Sequence, residues 1–226
     1  TSKSMATVKL LGFWASPFVN RVQIALNIKS ISYELIEENL RAKSQLLLES
    51  NPVHKKVPVL IHGDKPISES LVIVEYIDEA WTHGPSILPS DPFARATARF
   101  WAAYITDKWW PLLTEYRTAE GEEAKAAAKE KFLEGLVLLE EAFVKSSQGK
   151  GYFGGDNIGY LDVVLGSLLA WLRVREVTQG VAFLDKAKAP ELAAWADRFT
   201  SNPAVVDVLP KTEKVVDFLN SFNRAN

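Results

Sequence analysis

The spacing of apolar residues changes along the chain, and this change constrains the fold more strongly than any other feature of the sequence. Up to about residue 81, short apolar runs typical of strands alternate with stretches that have the helical period. Beyond residue 92 only the helical period remains. The intervening segment 82–91 contains two prolines and a glycine, as linkers commonly do. The sequence therefore predicts a mixed α/β domain followed by an all-α domain.

The first predicted domain, residues 6–82, has the order βαβ followed by ββα, which indicates a small mixed sheet. Its predicted elements are strands at 8–13, 32–36, 57–61 and 66–68 and helices at 19–28, 43–49 and 70–81. A linker is predicted at 83–91 and a helical bundle at 92–226, with helices at 94–116, 122–144, 160–177, 191–200 and 214–222. Trp109-Trp110-Pro111 predicts a kink in the first of these helices, because proline cannot donate the helical hydrogen bond.

Composition excludes several classes of function. The chain has 226 residues and a net charge of −2, so neither a nucleic acid nor an anionic membrane is an expected partner. It has no cysteine, which excludes disulfides, thiolate metal sites and a cysteine nucleophile, and its three histidines form no metal-binding pattern. There is no apolar run of about 18 residues and no basic-then-apolar leader, so a soluble cytoplasmic protein is expected.

Ser16-Pro17 lies between the first predicted strand and the first predicted helix. Proline suits the first helical position, so the serine hydroxyl is expected at a helix N-terminus, where unpaired N–H groups and the dipole favour an anion. A serine nucleophile is disfavoured, because no glycine flanks Ser16 as in a nucleophile elbow. On position alone, a plain helix cap remains the commoner role.

Two further dipeptides indicate a peptide ligand. Val57-Pro58 lies in the third predicted strand, where proline removes a ladder donor; with a cis bond, the backbone of Val57 could pair with an extended peptide. Glu69-Ser70 opens a predicted helix and could hold a zwitterion, with Ser70 near its carboxylate and Glu69 near its ammonium. Ordinary edge and capping roles are the alternatives for these residues.

Lys43, Lys55 and Lys56 flank the same motifs, although a single surface lysine is usually only solvated. Taken together, the motifs require a ligand with a zwitterionic end, an extended middle, an acidic end and an anion near Ser16. A short peptide thiol such as glutathione meets these requirements. Because the chain contains no cysteine, the thiol must come from the ligand.

Longer stretches carry a family resemblance. They are FWASPF at 13–18, NPVHKKVPVL at 51–60, ES at 69–70, LPSDP at 88–92, and YFGGD at 152–156 followed by Asp162. With these motifs in this order, the sequence resembles the glutathione S-transferases over residues 8–222, most closely the plant tau class.

The resemblance implies a thioredoxin-like N-terminal domain that binds glutathione and a helical C-terminal domain that forms most of the electrophile pocket. It implies that Ser16 is catalytic and donates to the glutathione sulfur without forming a covalent bond. The implied glutathione-binding residues are Lys43, Lys56, Val57, Pro58 in the cis form, Glu69 and Ser70. Glutathione is then a co-substrate, no bound cofactor is expected, and the protein is expected to be a homodimer.

The resemblance also implies a hydrophobic substrate site. Its members are Phe18, Trp110, Thr114, Arg117, Trp171, Phe218 and Phe222. Ordinary core packing is the alternative for each. In one departure from the wider family, Gly159 stands where a serine or threonine usually caps the next helix, and Asp162 is interpreted as a folding residue at the third helical position.

The expected activity is conjugation of glutathione thiolate to small hydrophobic electrophiles, as in detoxification, with peroxidase activity on organic hydroperoxides as a possible second activity. Two other classes of function are alternatives. A carrier of hydrophobic ligands with incidental catalysis stays open. A glutathione-dependent thiol–disulfide reductase is disfavoured, because that exchange needs a protein thiolate.

Overall fold

Four strands of the first part of the chain form one mixed sheet. The structure, a computed structural model, describes the backbone of residues 7–224 and the side chains of residues 7–221. The strands are β1 (Val8–Gly12), β2 (Glu34–Glu37), β3 (Val59–His62) and β4 (Lys65–Ser68), in the order β2-β1-β3-β4. β1 pairs with β2 in parallel, and the other two pairings are antiparallel. The predicted mixed sheet is therefore confirmed.

The register brings the functional connections to one edge of the sheet. Gly12 pairs with Glu37, Leu11 with Val59, and Val59 with Ser68. The last residues of β1, β2 and β4 therefore lie beside the first residue of β3. The segments 13–16, 38–44, 57–58 and 69–70 all adjoin this edge, which is called the binding edge below.

Three helices accompany the sheet: α1 (Pro17–Ile28), α2 (Gln45–Ser50) and α3 (Ser70–Ala80). α1 packs against α3, and each contributes buried aliphatic side chains to the core. Gly12 allows α1 to approach β1 closely, since a Cβ at that position would lie 2.7 Å from a methyl carbon of Val19. β3 begins after Pro58 rather than at the predicted residue 57, because proline has no N–H to donate to a ladder.

The rest of the structure is helical, as predicted. The helices are α4 (Pro92–Tyr104), α5 (Pro111–Thr118), α6 (Glu122–Ser147), α7 (Tyr160–Gly166), α8 (Leu169–Gln179), α9 (Pro190–Thr200) and α10 (Thr212–Arg224). Contacts within the chain divide it into two compact units. One unit contains the sheet and the segment Pro203–Pro210. The other contains Ile87–Asn202 and the chain from Lys211 onward.

Two long helices predicted from the sequence are each divided in the structure. The prediction of one helix over 94–116 is wrong, because α4 ends at Tyr104, a π-helical segment Ile105–Trp109 follows, and α5 begins at Pro111. Pro111 cannot donate to the carbonyl four residues earlier, and the N–H of Trp110 reaches back five residues to Ile105 at 2.9 Å. The helical pattern is thus interrupted at Trp109-Trp110-Pro111, where a kink was predicted.

The predicted helix over 160–177 is also divided, into α7 and α8. The break lies at Ser167 and Leu168, where the N–H of Leu168 donates to the carbonyl three residues back at 3.1 Å. Gly166 at the end of α7 lies against the ring of Phe199, which a Cβ would approach to 2.2 Å. Among the described residues, no helix is long and apolar enough to cross a membrane.

Candidate active site

Ser16 is the N-cap of α1. Its backbone is extended (φ −77°, ψ 119°), Pro17 occupies the first turn, and the Ser16 Oγ accepts a hydrogen bond from the Val19 N–H at 3.4 Å. This bond is long and uses an oxygen lone pair, and no acceptor for the hydroxyl proton is found among the described residues, which leaves that proton available to a ligand. The predicted position of Ser16 at a helix N-terminus is confirmed, and its side chain is partly exposed.

Two hydrogen bonds fix the loop before α1. The Ser16 N–H donates to the Phe13 carbonyl at 2.9 Å, and the Trp14 N–H donates to the Glu37 carboxylate at 3.0 Å. These bonds join the end of β1 to the end of β2 and hold the serine at the binding edge.

Val57 precedes a cis peptide bond to Pro58. The Val57 side chain packs against the small core cluster that includes Leu47 and Val59, and no described residue makes a hydrogen bond to its N–H or C=O. The turn before it is held by Asn51, whose side chain donates to the Lys56 carbonyl at 3.0 Å and accepts from the His54 N–H at 3.1 Å. The free backbone pair that Val57-Pro58 was expected to present is present.

Glu69 and Ser70 occupy the junction between β4 and α3. Glu69 is exposed, has the positive φ of +74° that few residues other than glycine adopt, and lies 3.7 Å from the His54 imidazole. Ser70 is only 7% exposed, and its Oγ accepts from the Arg21 guanidinium at 3.3 Å. The helix N-terminus and the two side chains thus offer N–H groups, a hydroxyl and a carboxylate.

Arg21 is a site residue that the sequence reasoning missed. Its side chain is completely buried, it contacts Ser70, and its guanidinium lies 4.9 Å from the ring centroid of Phe18. In the sequence Arg21 looks like one polar residue on an amphipathic helix, so no local signal distinguishes it. Its cationic charge lies behind Ser70, where it favours an anion.

Lys43 and Lys56 are exposed, and neither makes an ion pair with any residue whose side chain the structure describes. Lys43 lies in the segment between β2 and α2 that leaves the binding edge, and Lys56 lies in the segment that enters it before β3. The topology therefore brings Ser16, both lysine-bearing segments, Val57 and Glu69-Ser70 to one edge of one sheet.

Comparisons with known proteins identify the family. Models of the glutathione S-transferase N-terminal domain and C-terminal domain match residues 6–79 and 122–198. Glutathione S-transferase U17 of Arabidopsis thaliana is 57% identical over 212 residues, and the match covers 93% of each chain. The chain belongs to the glutathione S-transferases.

Solved structures place this transferase in the tau class. The tau class enzyme of mango, Mangifera indica, is 61% identical, with a TM-score of 0.92 over 95% of this chain and 97% of that one. Rice GST1 in complex with glutathione is 39% identical, with a TM-score of 0.86 over 98% of both chains. The expected fold, a thioredoxin-like domain followed by a helical domain, is confirmed, and glutathione is a co-substrate of this family rather than a resident cofactor.

The residues expected around the hydrophobic site of this transferase are spread over several elements. Phe18 lies in the first turn of α1, Trp110 immediately before α5, Thr114 and Arg117 in α5, Trp171 in α8, and Phe218 and Phe222 in α10. Thr114 and Arg117 are exposed, whereas Phe18, Trp110, Trp171 and Phe218 are partly buried. The side chain of Phe222 lies outside the described residues. α8 packs against α10, which brings the segments of Trp171 and Phe218 together.

A small cavity lies inside the helical unit. Its volume is about 10 Å³, and its walls are leucine side chains together with Trp109, Trp110 and Trp195. This is room for about one water molecule, and the lining is apolar. The cavity is therefore too small to hold an organic acceptor.

Proposed function

We propose that this transferase activates glutathione through the Ser16 hydroxyl and directs the resulting thiolate to hydrophobic electrophiles. The observation that carries the proposal is the position of this hydroxyl, at the N-terminus of a 12-residue helix, where its proton is donated to no acceptor among the described residues. Donation to the glutathione sulfur, together with the helix dipole, favours the thiolate. Each pKa unit of lowering corresponds to about 1.4 kcal/mol.

In the reaction, the glutathione sulfur supplies the electron pair of the new bond to carbon. With an aromatic chloride, the carbon–chlorine bond breaks, chloride leaves with its electron pair, and the thiol proton passes to solvent. Ser16 forms no covalent bond and keeps its proton, since its part is to stabilise negative charge on sulfur before the attack.

The rest of the binding edge suits the peptide part of glutathione. Ser70 and the N-terminus of α3 would bind the γ-glutamyl carboxylate, and Glu69 would bind its ammonium group. The backbone of Val57 would pair with the cysteinyl residue of the ligand, and Lys43 and Lys56 would face the glycine carboxylate. Rice GST1, which is similar over almost its full length, has been solved in complex with glutathione.

Around the second substrate, we propose that Phe18, Trp110, Thr114, Arg117, Trp171, Phe218 and Phe222 contribute to the hydrophobic site. Partial burial of four of these residues supports the assignment, because aromatic surface that is neither fully buried nor fully exposed is available to an apolar ligand. We also propose a cytoplasmic homodimer that acts in detoxification, with domain boundaries at residues 82 and 92.

The decisive experiment is steady-state conjugation of 1-chloro-2,4-dinitrobenzene by the wild type and the Ser16→Ala variant. We expect kcat/KM of the variant to fall by about 100-fold, the typical effect of removing one donor to a developing anion. The apparent thiol pKa in the pH–rate profile should rise by about one to two units toward the value of free thiol, roughly 8.5.

Ser16→Thr is the matched control, because it keeps a hydroxyl and the N-cap and should recover much of the activity. Circular dichroism checks folding, since loss of the cap by itself costs about 1 kcal/mol. A Ser16→Ala variant with full rate and unchanged thiol pKa would contradict the mechanism. An inactive wild type that still binds apolar ligands would favour the carrier function.

A further inference from the structure

Arg175 in α8 is an arginine in an uncommon setting. Its side chain is half-buried, and its guanidinium carbon lies 5.8 Å from the ring centroid of Trp171, one helical turn earlier. Among the described residues, no carboxylate forms an ion pair with Arg175. The neighbouring Arg173 differs, because it lies 3.7 Å from Glu176 and 3.8 Å from Asp197.

A second arginine acts electrostatically on the first. Arg117, in the last turn of α5, is close enough for its positive charge to act on Arg175, and burial together with this repulsion lowers the pKa of Arg175. Arg117 likewise has no carboxylate partner within the part of the chain that the structure describes. A second cation thus acts on Arg175, whose guanidinium already lies over an indole ring and is partly removed from water.

An anion would stabilise this arrangement. Repulsion and desolvation both destabilise the charged pair, and a carboxylate, phosphate or sulfonate would offset both effects. The planar guanidinium presents paired donors that match such groups, and the indole ring offers an adjacent apolar surface. A ligand that uses all three residues therefore needs an acidic group attached to an aromatic or aliphatic body.

We propose that Arg117 and Arg175, with Trp171, form an anion subsite of the acceptor site, so that this transferase prefers hydrophobic electrophiles that carry an acidic group. The inference rests on the proposed function, since it specifies the acceptor for the same conjugation reaction. Trp171 contacts the apolar body of the acceptor, and the two guanidinium groups bind its anionic group.

The test compares two acceptors that differ in one charge: 4-chloro-3,5-dinitrobenzoate and its methyl ester. Glutathione thiolate displaces chloride from both, and rates are divided by the uncatalysed rate of each compound. The wild type should show a higher corrected kcat/KM for the carboxylate. We expect Arg175→Gln to reduce this preference about tenfold and Arg117→Gln to reduce it less, because Arg117 is more exposed.

Arg173→Gln is the matched control, because it removes the same charge from the same helix but from a guanidinium that already has two carboxylate neighbours. It should leave the preference unchanged. Rising ionic strength should weaken the preference of the wild type more than that of the Arg175→Gln variant.

The outcomes separate the two proposals. If the wild type conjugates neither compound, the proposed function fails. If it conjugates both and the preference is absent or survives in the Arg117→Gln/Arg175→Gln double variant, the anion subsite is overturned while the conjugation function stands. If the substitutions change KM for glutathione instead of the acceptor preference, the arginines bind a glutathione carboxylate and the inference is also overturned.

Discussion

Glu38 is a buried side chain that holds a segment of the proposed glutathione site. Its carboxylate is only 3% exposed, accepts from the Ser44 hydroxyl at 2.6 Å and accepts from the Ser44 N–H at 3.2 Å. The Ser44 Oγ in turn accepts from the Leu47 N–H and caps α2. These bonds close the turn that carries Lys43, so we propose Glu38 as a positioning residue for that lysine.

We predict that Glu38→Gln raises KM for glutathione about three- to tenfold with little change in kcat. The amide keeps one oxygen but turns its NH2 toward the Ser44 N–H, which loosens the turn and weakens a contact made equally in the ground and transition states. Steady-state kinetics with varied glutathione measures this split. Glu34→Gln, an exposed position in β2, is the control; a fall in kcat at constant KM would show that Glu38 does not act through binding.

At the scale of elements, the start of α7 is held by several hydrogen bonds to one buried carboxylate. The buried carboxylate of Asp162 accepts from the N–H groups of Phe153, Gly154 and Gly159 and from the indole of Trp195, at 2.7 to 2.9 Å. The interpretation of Asp162 as a folding residue agrees with these contacts. Gly159 replaces the usual capping residue because a Cβ there would lie 2.8 Å from the Gly154 Cα.

Asp162 predicts a pH dependence of stability. Burial raises the pKa of its carboxyl from 3.8 to about 6, while the four hydrogen bonds act in the opposite direction. Because the folded pKa exceeds the unfolded one, the folded state binds more protons between these values. Stability from this group is therefore fully present below pH 3.8 and is lost as pH rises through about 6.

We expect the unfolding free energy of the wild type, measured relative to Asp162→Asn, to rise by up to about 3 kcal/mol as pH falls from about 7 to about 4. The variant cannot titrate at this position, so the difference isolates the single carboxyl. Urea denaturation at a series of pH values measures it. The opposite slope would mean that the four N–H donors outweigh burial and that the folded pKa lies below the unfolded one.

At the scale of the whole molecule, α4 presents apolar surface that the single chain does not cover. Phe93 and Phe100 are 81% and 63% exposed, and because they lie seven residues apart they share one face of the helix. Exposed aromatic residues on one face commonly mark a protein interface. This surface supports the proposed homodimer.

We predict that the Phe93→Ser/Phe100→Ser double variant weakens self-association by at least about tenfold, since two central aromatic contacts would be lost from each protomer. Sedimentation velocity over a range of concentrations measures the dissociation constant. Val144→Ser, an exposed apolar position in α6, is the matched control. A wild type that stays monomeric at high concentration would remove the dimer proposal, and a double variant that dimerises normally would place the interface elsewhere.

The large-scale course of the chain could not be predicted in full. The segment Pro203–Pro210, predicted as part of the helical domain, belongs to the unit that contains the sheet. There the Asn27 side chain donates to the Ala204 carbonyl at 3.0 Å, and the Asn20 side chain donates to the Val208 carbonyl at 3.4 Å. These contacts span more than 170 residues of sequence, and local patterns of apolar residues contain no information about them.

Local chemistry explains why much of the protein was predictable from its residues. Several signals act within a few positions of the chain: the strand and helix periods, the Ser16-Pro17 cap and the prolines at 58 and 111. They were enough to predict the element order and the mixed sheet. The absence of cysteine was enough to predict that the thiol comes from the ligand. Other features depend on which distant groups exclude water or bring charges together. They are the buried side chains of Arg21, Glu38 and Asp162, the π-helical segment and the effect of Arg117 on Arg175. Burial and electrostatics of this kind arise only when the chain has folded, because they are properties of neighbourhoods in space rather than of neighbours in sequence.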